Sequence, residues 1–497
     1  MKSYLKLCEK FETTSRIYNA MAILGWDNSV IMQPGSAEDR ARQQSTLGAI
    51  AHQITTAPEI NELLLDAEKN ETKDLDDWQK SNLRLMRNEW IHNNAVPEKL
   101  LTEMTMATSE CEITWRDAKQ ANDFKAFAAP LKKVLKLSRE VAGLKSKALK
   151  LSLYDALLDQ YDEGRRSADI DNIFAGLKNF LPGFIEQVKS TQSKLPQAKK
   201  PIGPFPVEKQ KAIALKMMER MGFDFNKGRL DVSAHPFSGG TSDDVRITTR
   251  YNESDYTKAL MGVFHETGHA LYSAGVPAKY RGQPVGNCLG MGIHESQSLL
   301  MEMQVCRSRD FINFLAPQVQ EAFGNTPENS ADNLYLYYNK VEPGLIRVDA
   351  DEVTYPIHVI IRYEIEKQLV EGTLEVDDIP ELWNKMMKDM LGVTVPSDRE
   401  GCMQDIHWSD GSFGYFPTYT LGAMTAAQLF AKCKKDNPNI LNEISQGNFN
   451  SLVSWLRENV HSKGCLYTAD ELINKVTGQP LNAEVYKDYL KNKYLGN

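Results

Sequence analysis

The sequence predicts a mainly α-helical fold with a small β-sheet, on three observations. Apolar residues recur at three- and four-residue intervals through most of the chain, one segment alone alternates with the two-residue period of a strand, and one proline-dense stretch punctuates the middle. The helical period runs through Tyr4 to Leu24, Ser36 to His52, Asp76 to His92, Phe124 to Leu151, Ile170 to Thr191 and Val207 to Met221. Ser36-Ala37-Glu38-Asp39 reads as a helix start behind the Pro34-Gly35 break. Leu195 to Pro206 holds Pro196, Pro201, Pro204 and Pro206, a rigid connection between a helical N-terminal half, 1–200, and a catalytic half, 201–497, of what is read as a single domain, 1–497. The strand segment, Asp244 to Tyr251, is alternating and β-branched, and a short sheet containing it would give an extended peptide an edge to pair with.

Composition narrows the class. A chain of 497 residues buries roughly three quarters of its unfolded surface, enough for one large core or several smaller ones. The net charge of −8 gives no argument for nucleic acid or an anionic membrane as partner. The seven cysteines are scattered without paired spacing and read as reduced thiols of a cytoplasmic protein. In Met1 to Lys10 charge interrupts every apolar run, so no signal-peptide core is expected, and no stretch approaches a membrane span. The Asn-x-Ser/Thr sequons at Asn70 and Asn252 then read as coincidence.

Chemistry enters with His265-Glu266-Thr267-Gly268-His269. In a helix this His-Glu-x-x-His pentad puts two imidazoles four positions apart on one face, the spacing one zinc ion needs. Glu266, about 100° round the helix from His265, is then free to act as a general base on water rather than ligate. Asp255 to Leu271 reads as the carrying helix, with Leu260, Val263, Phe264, Thr267 and Leu271 spaced for burial. Gly268, a poor helix former, suggests close approach by a neighbouring backbone. A peptidase metal needs a third protein ligand and an open position. Glu295 and its neighbour His294 are the alternatives, at the start of a second helical pattern through Leu299, Leu300, Met303 and Val305. Adjacent helical residues diverge, so only one of the two can face the metal, and spacing favours Glu295.

Other polar groups gather in the second half. His235-Pro236-Phe237 precedes Gly239-Gly240, which reads as a turn. Arg347 and Asp349 interrupt an apolar stretch continuing through Val353 and Ile357, and arginine suits two-pronged capture of a carboxylate. Gln404 to Trp408, with His407, leads into a polar and aromatic loop, Gly411 to Thr420, with Tyr415 and Tyr419.

Six ordered segments carry a family resemblance: His235-Pro236-Phe237, Asp244 to Thr248, His265 to His269, His294-Glu295-Ser296-Gln297, Ile346 to Asp351 and Gly401 to Trp408. In order and spacing the set resembles the thermostable metallocarboxypeptidase family typified by carboxypeptidase Taq. The likeness continues through Trp26-Asp27, Tyr154 to Leu158 and Gly411 to Tyr415, nearly the whole chain. Leu299, Met301 and Met303 depart from it, standing where that family more often carries Arg, Trp and Asn, which concerns local packing or pocket shape and not the chemistry.

The resemblance implies a large helical body with a deep active-site groove, a small sheet beside the metal helix, a homodimer, and removal of single residues from free peptide C-termini with broad specificity. It implies Glu295 as third ligand beside His265 and His269, holding one divalent ion per subunit: zinc first, with cobalt or manganese as alternatives. By the same carry-over Glu266 is the general base, Arg347 and Tyr419 hold the terminal carboxylate or the developing oxyanion, and His235 and His407 line the groove.

Overall fold

Helices account for most of the chain because nearly every apolar stripe finds another helix to bury it. The computed structural model describes residues 1–496, and among them lie twenty α-helices and one three-stranded sheet. All six helical segments expected from periodicity are present, as Lys2–Val30, Ala37–Thr56, Asp77–Asn94, Phe124–Leu149, Ser167–Gln192 and Val207–Arg220. Asp76 and Gln79 close a reciprocal capping box on the third of these. Ser36 stands at the expected N-cap but makes no side-chain cap bond, because a preceding 3-10 turn holds it in a helical conformation. A further long helix, Glu98–Ala121, pairs with Phe124–Leu149 across a two-residue turn in which Asn122 is left-handed and Asp123 caps the second helix. Its buried stripe of Leu100, Ala107, Cys111 and Ala118 is weakly apolar, which is why periodicity did not mark it.

One large core runs from Val96 to Tyr494 and draws on both sides of the proline-rich connection. A smaller one under the N-terminal helices gathers Tyr4, Leu7, Phe11, Ile60, Leu64 and Met86. No described helix is long and apolar enough to cross a membrane.

The sheet corrects one expectation, the Gly239-Gly240 turn. β1 (Gly228–Val232), β2 (Ser238–Thr241) and β3 (Asp244–Thr249) lie in the order β1-β3-β2. The alternating segment is therefore the central strand, parallel to β1 and antiparallel to β2, and the edges of the sheet belong to β1 and β2. Gly239-Gly240 is no turn but part of edge strand β2, where Gly240 (φ +84°) meets the Asp244 carbonyl so closely that a Cβ would collide with it. The guanidiniums of Arg229 and Arg246 lie over the buried Trp26 ring, joining the sheet to the first helix.

Candidate metal centre and active site

Three helices build the site. Tyr256–Gly275 carries the pentad and starts at Asp255, whose carboxylate accepts from the Thr257 backbone N–H (2.9 Å). Met291–Leu299 carries His294 and Glu295 and continues into a π-helical segment, Leu300–Cys306. Pro417–Asp436 carries Tyr419. The middle helix is pressed between the others at two glycines. A Cβ on Gly268 would lie 2.4 Å from the Gln297 carbonyl oxygen, and one on Gly422 would lie 2.9 Å from the Glu295 side chain. Gly268 thus has the reason for being there that its sequence position suggested.

His265, His269 and Glu295 converge, with one potential ligand atom from each within 4.8 Å of the others. Glu295 Oε2 is 3.3 Å from His269 Nε2 and 3.8 Å from His265 Nε2. Bonds of about 2.0–2.2 Å at a tetrahedral angle would set such atoms roughly 3.3–3.6 Å apart, so the donor set fits a zinc-type ion with little adjustment. Its charges fit as well: burial opposes a charged His265 ring, but Glu295, Glu302 and Glu266 outweigh it and raise the pKa to about 10, so the cluster attracts a cation. Glu266 is buried beside the ligands, and desolvation raises its pKa despite the two imidazoles. His294 does not point into the cluster. Its ring stacks on His269 (centroids 4.5 Å apart), its Nε2 faces Ser273 Oγ at 3.4 Å, and burial holds its pKa well below the usual value.

A second polar cluster adjoins the first. Tyr419 lies one turn before Gly422 and hence before the contact with Glu295. Its hydroxyl is 3.1 Å from His407 Nε2, and the Arg347 guanidinium lies 4.7 Å from its ring centre. His407 is kept neutral, its pKa lowered to about 4 by burial and by the charge of Arg347. Arg347 is itself engaged: Nε and Nη2 donate to Asp405 Oδ1 at 3.1 and 2.8 Å, while Arg362 Nε donates to Oδ2 at 2.6 Å. Asp349 pairs with Lys258 at the surface (2.6 Å). His235 is exposed ahead of β2, and its carbonyl accepts from Ser233 Oγ (2.5 Å) and Thr248 Oγ1 (3.5 Å).

The structure therefore brings His265, Glu266, His269 and Glu295 together, sets Arg347, His407 and Tyr419 beside them, and leaves His235 outside these hydrogen-bonded clusters. The sequence reading did not include Glu302, Arg307 or Arg362. Glu302 could have been found, because it follows Glu295 at a spacing that keeps one helical face.

The profile of the carboxypeptidase Taq (M32) metallopeptidases matches residues 6–494. Thermostable carboxypeptidase 1 of Thermus thermophilus is 37% identical, over 99% of this chain and 98% of that one. Carboxypeptidase 1 of Bacillus subtilis is 36% identical, over 98% and 97%. Among solved structures, Trypanosoma cruzi metallocarboxypeptidase 1 superposes with a TM-score of 0.97 at 39% identity, covering 99% of both chains. The chain belongs to the carboxypeptidase Taq family and is a metallocarboxypeptidase.

Proposed function

We propose that this metallocarboxypeptidase removes single residues from free peptide C-termini at one divalent ion held by His265, His269 and Glu295, with Glu266 as general base. The convergence of those three ligands beside the buried Glu266 carries the reading. When bound, the ion acidifies a water molecule and polarises the scissile carbonyl, as zinc does most readily among the candidates, with cobalt or manganese as alternatives.

The chain's residues supply the rest. Glu266, lifted by burial, takes a proton from the attacking water and delivers it to the departing amine. The Tyr419 hydroxyl, in contact with neutral His407, donates to the developing oxyanion. Arg347 and Arg362 share the single carboxylate of Asp405, which leaves one unbalanced positive charge for the substrate's terminal carboxylate. Fixing that terminus determines which peptide bond reaches the ligands. His235, exposed ahead of β2, is proposed to meet the substrate further from the reacting bond.

The same proposal extends, on the family likeness, to broad residue specificity, a homodimer and a cytoplasmic location. The core shared by 1–200 and 201–497 supports a single domain. Product analysis on one N-blocked peptide tests the central claim. Stepwise loss of C-terminal residues is expected with a free terminus and almost none with an amide, and equal cleavage of both would remove the carboxylate clamp from the mechanism.

A further inference from the structure

The two pentad histidines are held differently. The His269 ring packs on His294, and its buried Nδ1 has no protein partner. His265 Nδ1 lies 2.9 Å from Glu302 Oε2. The other oxygen of Glu302, Oε1, is taken by the Arg307 guanidinium, so the carboxylate is held as an acceptor with Oε2 turned to the ring. Nδ1 therefore donates to Glu302, and Nε2 is the nitrogen turned toward Glu295, 3.8 Å from its Oε2.

The backbone is shaped to make this contact. Glu295 and Glu302 are about two turns apart on one face, and each meets a different nitrogen of the same ring. Five residues along an α-helix would turn a side chain about 140° away. Across Leu300–Cys306 the helix widens instead, and the Arg307 N–H donates to the Glu302 carbonyl (3.1 Å) in a π-type bond. That wider turn brings Arg307 round so that its Nη2 donates to Glu302 Oε1. The segment is tied from behind, by Asn339 Nδ2 to the Arg307 carbonyl and Lys493 Nζ to the Met303 carbonyl, both at 3.0 Å.

We propose that Glu302, held by Arg307 across the π-turn, is a positioning residue that fixes the tautomer and orientation of His265 and strengthens it as a metal ligand. This rests on the ligand set proposed above. Outer carboxylates of this kind are worth about ten- to a hundred-fold in metal affinity.

The test compares full-length wild type with Glu302→Gln, Arg307→Ala, Arg307→Lys and, as a reference, Glu295→Ala. Zinc affinity is measured by chelator competition, the visible spectrum on the cobalt-loaded protein, and the thermal midpoint after metal stripping. Glu302→Gln is expected to weaken zinc about ten- to a hundred-fold and alter the cobalt spectrum, with the stripped protein still folded. Arg307→Ala should give a smaller loss that Arg307→Lys partly restores. A lower thermal midpoint with wild-type affinity and spectrum would make the Arg307–Glu302 pair merely structural and overturn the inference. If Glu302→Gln fails to fold, the Arg307 pair decides, and equal affinity in Ala, Lys and wild type is the refuting result. Wild-type affinity in Glu295→Ala would instead refute the ligand set, a different failure.

Discussion

The two clusters that meet beside Pro417–Asp436 are out of balance in opposite directions. Around the pentad lie three carboxyls, Glu266, Glu295 and Glu302, of which only Glu302 is paired with a guanidinium, that of Arg307, while around Asp405 two guanidiniums face one carboxylate. At Glu352 the interior balances its charge: Lys493 donates to this fully buried carboxylate at 2.6 Å, with Tyr489 and Tyr494 satisfying the remaining oxygen positions. Burying charge is costly unless a partner answers it. A surplus of one sign therefore marks a place shaped for a ligand of the other. The acidic surplus suits a divalent cation, and the basic one, a turn or so away, suits a peptide's terminal carboxylate.

The largest expected effect falls on the acidic side. Glu266→Gln keeps the proposed ligands and the shape but removes the proposed base, so turnover should fall by about a hundred- to ten-thousand-fold with stoichiometric metal retained. A Gln variant with ordinary turnover would take Glu266 out of the mechanism. On the basic side, Asp405→Asn leaves Arg347 and Arg362 facing each other without an anion. Stripping one partner from a buried ion pair costs about 3–5 kcal/mol, which denaturant unfolding should show. A stability change below about 1 kcal/mol, the range of an exposed ion pair, would mean that solvent already screens the two guanidiniums and that the surplus charge has no force.

Substrate dependence sharpens the comparison further. Arg347→Ala removes a charge-assisted contact worth roughly 1.5–3 kcal/mol, about ten- to a hundred-fold in kcat/KM on peptides with free C-termini. Amidated peptides, which the wild type is itself expected to cut poorly, should lose little more. A defect of equal size on both would assign Arg347 to holding Asp405 and the 401–408 segment in place.

What could be read from the sequence follows from the range of the physics involved. The pentad, the β3 segment and the proline-rich connection are local patterns and appear where expected. Arg362 and Glu366 do not stand out, because Tyr355–Glu371 is buried nearly all round and charged residues in such a helix look like a solvated face. The Arg307–Glu302 contact depends on a π-turn, which a reading based on 3.6 residues per turn cannot register. Likewise, β3 is recognisable as a strand, but its central place depends on partners set by the chain's path.

Glu366 provides the third case, a buried acid with no cation at all, and the smallest expected effect. Its oxygens accept from Tyr154 (2.5 Å), the Gly414 N–H (3.2 Å) and Trp408 Nε1 (3.4 Å), fastening the loop that follows His407. Desolvation dominates these bonds and raises its pKa from 4.5 to about 8. Where the metal cluster meets burial with opposite charges, this carboxyl meets it by keeping its proton. The folded state then holds a proton that the unfolded chain releases near pH 4.5. Its contribution to stability is complete below that pH and is lost as pH rises toward 8. Glu366→Gln is neutral throughout and lacks this dependence. Unfolding midpoints from pH 5 to 8 should therefore show the wild type losing ground steadily to the variant, whatever the fixed cost of turning an amide toward Trp408. Parallel curves would mean that Glu366 is ionised in the folded protein, and that hydrogen bonds alone can hold a buried charge here.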